Sequence, residues 1–401
     1  MTEQRAQPVL VLSLLFAATF LIFTVYLMLA PMLVELAAEF RTSVAVAGQL
    51  AAATSITWAI AAPLVGPLSD TYGRRPVLLT GLMLMTLGIL GSVLAWSYAS
   101  LLGFRLLTGI GMATIPANSL ATIADIFPPR QRGKAIGWLL SASGVGTALG
   151  VPGVALLTEL GGWQLPFYVI GALLLILWIL LWVWFPRSQQ QQGQALAFLS
   201  RFREVGASRA FWYILGVNVL MVTAFSGVFT YLAAYLIQTY SMNAGGTALP
   251  LTLAGLGVIA AAFIGGRAAG LDRRILLVSI SFLFGGLVAV LVFTTRESPW
   301  VTVALASGVA VFLRMSLPVT SLLLIDLADR SRATALGMFA LSNQAGTVAG
   351  TSLGGLMLAL GGFPLVGGFC LVTAVAAAAV MGMKVRESPE HVQEMAAEIQ
   401  D

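Results

Sequence analysis

Two arginines stand in the middle of long apolar runs, Arg105 in "LLGFRLLTGIGMA" and Arg314 in "AVFLRMSLPVTS". A guanidinium in such a setting can hold an anion, donate to backbone carbonyls or stack on an aromatic ring. A third stretch, "GPLSDTYGRR" from Gly66 to Arg75, puts the carboxylate of Asp70 within five residues of Arg74 and Arg75. Hydrolytic chemistry has little support. "GTSLG" (Gly350 to Gly354) fits a nucleophile-elbow pattern, but that chemistry needs a histidine partner and the only one is His391, near the C-terminus. Ser352 is therefore read as helix packing. No phosphate-binding G-x-x-x-x-G-K-[ST] loop occurs, so nucleotide hydrolysis is not the energy source. With one cysteine, Cys370, and one histidine, no metal site and no cofactor are expected.

The elements that must position these residues follow from composition. Of 401 residues, 59% are apolar and 9% charged, against roughly 25% charged in soluble domains. A spanning helix needs about 20 apolar residues, and twelve such segments run end to end. They cover approximately 9–34, 44–67, 76–96, 99–124, 134–158, 163–185, 211–237, 247–269, 274–294, 299–324, 333–359 and 364–384. The first is longer than a signal-peptide core and is read as a retained span. Inside a span, an unpaired arginine costs at least about 2.5 to 3.5 kcal/mol, so Arg105 and Arg314 are expected to face a cavity.

Of the 21 Lys and Arg, only Arg41 and Arg296 fall in the loops of one side and Arg105 and Arg314 within spans; the other 17 collect on the opposite side. By the positive-inside rule both termini are then cytoplasmic, in the cytoplasmic (inner) membrane. The net charge of +5 sits in loops close to the spans, which argues for a lipid bilayer and not nucleic acid as the partner.

The polar stretch "RSQQQQGQ" divides the spans six and six. The expected organisation is an N-terminal six-helix bundle (1–185), a linker (186–210), a C-terminal six-helix bundle (211–384) and a tail (385–401). "RQRGKAIGWLLSASGVGTALG" from Arg130 matches "RSRATALGMFALSNQAGTVAG" from Arg330, pairing Gly137, Gly146 and Gly150 with Gly337, Gly346 and Gly350. "IPANS" at Ile115 likewise matches "LPVTS" at Leu317. The expected fold class is an all-α membrane protein of two pseudo-symmetric bundles, the architecture of a rocking transporter with its site between repeats.

At these residues the chain resembles the major facilitator superfamily, and within it the drug:proton antiporter branch. The family signature between helices 2 and 3, G-x-L-[SA]-D-R-x-G-R-[RK], is matched at Gly66, Leu68, Ser69, Asp70, Gly73, Arg74 and Arg75, with Thr71 where Arg is usual. A solvated basic loop would account for the arginines but not for the glycines and carboxylate. The resemblance implies a conformational latch, Asp70 meeting the start of helix 11 near Ala333 and Thr334, and Arg74 pairing with Asp125. Gly66 and Gly73 are expected to allow close approach and a tight turn. The helix-4 pattern L-x-x-x-R-x-x-Q-G-x-G is matched at Leu101, Arg105, Gly109 and Gly111, with Thr108 for Gln, and gives Arg105 the family's functional arginine. The helix-5 pattern is matched at Gly146, Gly150, Pro152 and Gly153, with the proline one place late; close packing and a kink are expected there.

The family lines its cavity with helices 1, 4, 7 and 10. Candidates for a substrate and proton pathway are accordingly Arg105, Arg314, Tyr26, Met112, Asn218 and Phe225, with Phe16, Phe20, Phe23 and Phe229 on the same spacing, which lipid-facing aromatics would fit equally. Arg314 leaves two readings open: a structural tie to a backbone carbonyl, or a substrate contact beside Ser307, Val311, Pro318 and Ser321. Proton coupling would fall on Asp70, Asp125 or Glu35, although Glu35 and Glu39 also read as ordinary loop charges. The expected function is export of small amphipathic compounds by proton antiport and alternating access, by a monomer. The alternatives are a carrier of small organic anions held by Arg105 and Arg314, and a non-transporting membrane sensor.

Overall fold

The computed structural model describes residues 8–186, 208–269, 271, 273–327 and 332–385. Most of the expected linker and the tail, with Arg330 and His391, lie outside them. No strand occurs among the described residues. The first six spans are α1 (Pro8–Leu27, resumed as Leu29–Glu39), α2 (Val44–Ala47 and Gln49–Tyr72), α3 (Arg74–Val93), α4 (Tyr98–Ile126), α5 (Pro129–Val145, Gly146–Gly150 and Val151–Gly161) and α6 (Gln164–Trp184). There follow α7 (Arg209–Tyr240), α8 (Ala248–Ala268), α9 (Arg274–Thr294) and α10 (Pro299–Arg314 and Ser316–Leu327). The last helical stretch, Arg332–Lys384, is two spans, α11 and α12, because Gly361 and Gly362 leave helical geometry, Gly362 with φ +73. That makes twelve among the described residues, as expected.

Local chemistry explains the ends and interruptions. Ser97 and Ser100 form a capping box at the start of α4, and the Ser298 hydroxyl caps α10 ahead of Pro299. A proline inside a helix leaves the carbonyl four residues earlier without its N–H partner. Pro31 does so to Leu27 at the break in α1, and Pro318 to Arg314 at the break in α10. Pro116 and Pro318, in the matched "IPANS" and "LPVTS", thus each lack the N–H that would reach back one turn. Ahead of Pro152, where a kink is expected, lies a single turn of π-helix over Gly146–Gly150 that leads into Val151 with helical dihedrals. Such wide turns occur as single insertions within α-helices and are one identifiable cause of helix kinks.

The contacts divide the chain into two compact units, unit 1 of Met1–Ala197 with Phe229–Gly255 and unit 2 of Phe198–Val228 with Leu256–Asp401. The duplication is written into the packing of each. In unit 1, a Cβ on Gly146 would stand 2.7 Å from the Phe20 carbonyl oxygen, and one on Gly150 would collide with Thr24. In unit 2, a Cβ on Gly346 would stand 2.7 Å from the Val219 carbonyl oxygen, and one on Gly350 would collide with the Thr223 carbonyl. Thr24 and Thr223 each turn their hydroxyl back onto those carbonyls, of Phe20 and Val219, at 3.0 and 2.8 Å. α5 therefore seats on α1 as α11 seats on α7, through small residues that let backbones approach where the hydrophobic effect offers no drive. A second sign of repetition is the corner at Gly162, φ +68, before α6, matched 200 residues later by Gly362 before α12. Leu173, Ile176, Ile179 and Val183 on α6 are exposed, as are Trp96, Trp184, Trp212 and Trp300 at span ends, the distribution of a lipid-facing surface with aromatic belts.

Candidate functional site

The signature stretch is almost entirely helical. α2 runs through Tyr72, α3 starts at Arg74, and Gly73 alone joins them at φ +91, a region that favours glycine. Gly66 departs from expectation: a Cβ there would meet nothing within 4 Å, because it lies on an exposed helical face and not at a turn. Arg74 forms an ion pair with Asp125 at 3.0 Å, tying the start of α3 to the last turn of α4. Arg75 donates to the carbonyl oxygen of Trp182 in the last turn of α6. The Ser69 hydroxyl reaches Asn118 Oδ1 at 2.5 Å, and Asn118 donates to the Thr114 carbonyl at 2.7 Å. Asn118, which the motif reading passed over, thereby holds the end of α2 against α4. The expected Asp70 contact falls on side chains, of Asp70, Ala333 and Thr334, that lie outside the described residues.

The Asp125 side chain is 47% exposed, so the Arg74 pair is largely solvent-screened. A double-mutant cycle on Arg74→Gln and Asp125→Asn is expected to show a coupling of about 0.2 to 1 kcal/mol. Strictly additive losses of thermal stability would contradict it.

Arg105 is fully buried within unit 1. Its Nη2 donates to Ser92 Oγ at 2.8 Å, its Nη1 lies 4.0 Å from Met28 Sδ, and its guanidinium sits 4.9 Å from the Phe167 ring centre. Ser92 passes its own proton to the Gly88 carbonyl at 2.7 Å, so its oxygen is committed as an acceptor for the arginine. Nε has no hydrogen-bond partner among the described residues. One side chain thus links α1, α3, α4 and α6. Ser92 and Phe167 could not be picked out beforehand, since a serine and a phenylalanine are ordinary span residues.

In unit 2, Arg314 is half-buried with its guanidinium 3.9 Å from the Phe225 ring centre, a cation–π contact between α10 and α7. Asn218, two turns before Phe225 on α7, is fully buried and donates to Ser342 Oγ at 2.7 Å and Asn343 Oδ1 at 3.1 Å on α11. Tyr26 is half-buried, edge-on to Trp58 at 5.6 Å and to Phe23 at 6.5 Å. Met112 is fully buried in helix packing. The helix-5 glycines separate: Gly146 and Gly150 are contact points, whereas a Cβ on Gly153 would meet nothing within 4 Å. Arg274, counted with the loop charges, is only 2% exposed at the start of α9.

At the end of unit 1 opposite Arg74, the Glu159 carboxylate accepts from Asn243 Nδ2 at 2.7 Å and from the Gly245 N–H at 3.2 Å, anchoring the connection between α7 and α8. Nearby, burial holds the Glu35 carboxyl above its ordinary 4.5, the charge of Glu159 pushes the same way, and a hydrogen bond from the Trp163 backbone opposes both. A carboxyl whose proton is held more tightly in the folded chain contributes stability below its ordinary pKa and loses it as pH rises through the raised one. Glu35→Gln should therefore gain melting temperature relative to the parent as pH climbs from about 4.5 toward neutrality. A pH-independent difference would contradict this.

The comparisons agree with this architecture. A family model described as Major Facilitator Superfamily matches residues 15–313 and 238–399. The chain is 26% identical over 352 residues to the MFS-type transporter YceJ of Bacillus subtilis (strain 168), covering 86% of this chain and 88% of that one. Over 182 residues it is 29% identical to the multidrug transporter MdfA of Yersinia pestis bv. Antiqua (strain Angola), covering 44% and 43%. Among solved structures, a bacterial homolog to the human lysosomal transporter Spinster, in its inward-facing and occupied conformation, superposes with TM-score 0.79 at 19% identity, over 97% of this chain and 100% of that one. Twelve apolar spans, the repeated seats of α5 and α11 and a family match over nearly the whole length lead to one assignment: the chain is a multi-pass membrane protein and belongs to the Major Facilitator Superfamily of transporters.

Proposed function

We propose that this member is a monomeric secondary transporter of the cytoplasmic membrane that exports small amphipathic compounds in exchange for protons, by alternating access, with both termini cytoplasmic. The observation that carries the substrate class is Arg314 stacked on Phe225, a charged group laid on an aromatic face that suits a ligand with a polar end and an apolar body. The half-buried Phe16, Phe20, Phe23 and Tyr26 along α1 supply further adaptable apolar surface. The multidrug transporter among its relatives supports the export reading. Proton coupling is proposed to fall on Asp70, Asp125 or Glu35. Gly66, Asp70, Gly73, Arg74, Arg75 and Asp125 are proposed as the conformational latch.

A second reading, that the substrates are organic anions, is favoured by charge. Arg105 and Arg314 lie inside spans, and no Asp or Glu falls near the middle of any span. In a site shielded from water, a guanidinium favours anionic over cationic ligands. Matched neutral and anionic ligands, titrated against the purified parent and Arg314→Leu, separate the two. The anion reading expects a selective loss of anion affinity with neutral ligands little changed. Equal loss of both, with a lowered melting temperature, would make Arg314 a structural residue.

A further inference from the structure

Glu159, in the last turns of α5, is engaged on both carboxylate oxygens: Oε1 accepts from Asn243 Nδ2 at 2.7 Å and Oε2 from the Gly245 N–H at 3.2 Å. The Asn243 amide is oriented independently, because its Oδ1 takes the Gly246 N–H at 2.8 Å, which leaves Nδ2 to face Glu159. Gly245 is shaped to the same contact, since a Cβ there would stand 2.7 and 2.8 Å from Glu159 Cβ and Cγ. Two donors therefore face one side chain, and only a group that accepts on both atoms satisfies them. A carboxylate does so. An amide cannot, because its nitrogen must confront one of the two donors.

The α7–α8 connection lies within Phe229–Gly255, which belongs to unit 1. Other seats of this segment in unit 1 are close packing. Tyr231 is fully buried with its hydroxyl where a Cβ on Gly48 would stand, and a Cβ on Gly255 would lie 3.5 Å from the Ala148 backbone. The Glu159 bonds differ in being exposed, where water can take their place at small cost. We infer that Glu159 is a clasp for the α7–α8 connection: bonded, it holds Asn243 and Gly245 against the end of α5, and unbonded, it frees the connection to move away during the transport cycle. The inference rests on the alternating-access reading above and adds Glu159 and Asn243, which lie outside the patterns matched in the sequence.

The test uses the full-length protein in detergent, with spin labels at Leu160→Cys and Leu249→Cys, both exposed, and the buried Cys370 replaced by alanine. Amide hydrogen exchange over 241–247 is followed in the same variants without labels. Glu159→Gln and Asn243→Asp should each speed the exchange and raise the population at longer label distance by about fivefold; either suffices if the other does not fold. The double variant exchanges donor and acceptor. The new amide nitrogen at 159 then donates to the new carboxylate at 243, and the N–H groups of Gly245 and Gly246 keep their acceptors. It should return both readings to those of the parent, a rescue that a merely structural pair of side chains would not give. Parent-like exchange and distance in the single variants, or a double variant as open as either single, would overturn the inference. Faster exchange at an unchanged label distance would also overturn it, making Glu159 a loop anchor and not a clasp. These readings use no substrate, so a failure of the clasp shows here, whereas a failure of alternating access shows in reconstituted flux.

Discussion

Gly109→Ala should leave almost no folded protein in the membrane. A Cβ at Gly109 would overlap the backbone carbonyl of Thr54 and the hydroxyl of Thr57 on α2. The carbonyl belongs to a helix and cannot rotate away, and the Thr57 hydroxyl is engaged with the Leu106 carbonyl at 2.7 Å. The added methyl must push α2 from α4, which removes many close contacts at once. Overpacking of well-packed cores costs about 1 to 3 kcal/mol where neighbours can shift, and here the neighbour is backbone, so a loss at or above that range is expected. Gly153→Ala is the matched control, since a Cβ there meets nothing within 4 Å. Yield of monodisperse protein and melting temperature check both; an undisturbed Gly109→Ala would mean that α2 and α4 are less closely seated than described.

The second large effect is expected at Arg105. Truncation to alanine removes a fully buried side chain from among Met28, Ser92 and Phe167, and should cost about 3 kcal/mol or more through the cavity left. Arg105→Met fills most of that volume without the charge. Replacing a buried charge by an apolar group of similar size is often neutral or stabilising, so Arg105→Met should melt within a few degrees of the parent. Transport should nevertheless be lost, because an arginine that costs stability and lacks a carboxylate partner among the described residues is expected to serve the transport cycle. Full transport by Arg105→Met would reduce the arginine to a packing element.

The two arginines were legible because charge inside an apolar run is rare; their surroundings were not. Nothing in the sequence distinguishes Ser92 from any serine in a span, or Ser342 from its neighbours, because their roles depend on which helix lies opposite. The glycine patterns were legible in outline and uneven in detail. Gly146 and Gly150 are contact points, while Gly153 and Gly66, part of the same matched patterns, face open space. Motif membership does not say which glycine touches a neighbour. The repeat at 200 residues was read from Gly146 and Gly346, and the fold adds a second instance at Gly162 and Gly362, where a positive φ marks the same corner. The burial of Arg274 was not legible, since a residue at a helix start can turn inward. The π-turn before Pro152 was beyond pattern reading, because proline announces a missing hydrogen bond and not how the helix accommodates it.

The central claim is proton-coupled secondary transport, and reconstituted flux tests it most directly. The purified full-length protein, in sealed liposomes with an imposed pH gradient, should accumulate an amphipathic substrate against its own gradient, and a protonophore that collapses the pH difference should abolish the accumulation. Movement that stops at equal concentrations, or that proceeds unchanged without the pH gradient, would contradict it.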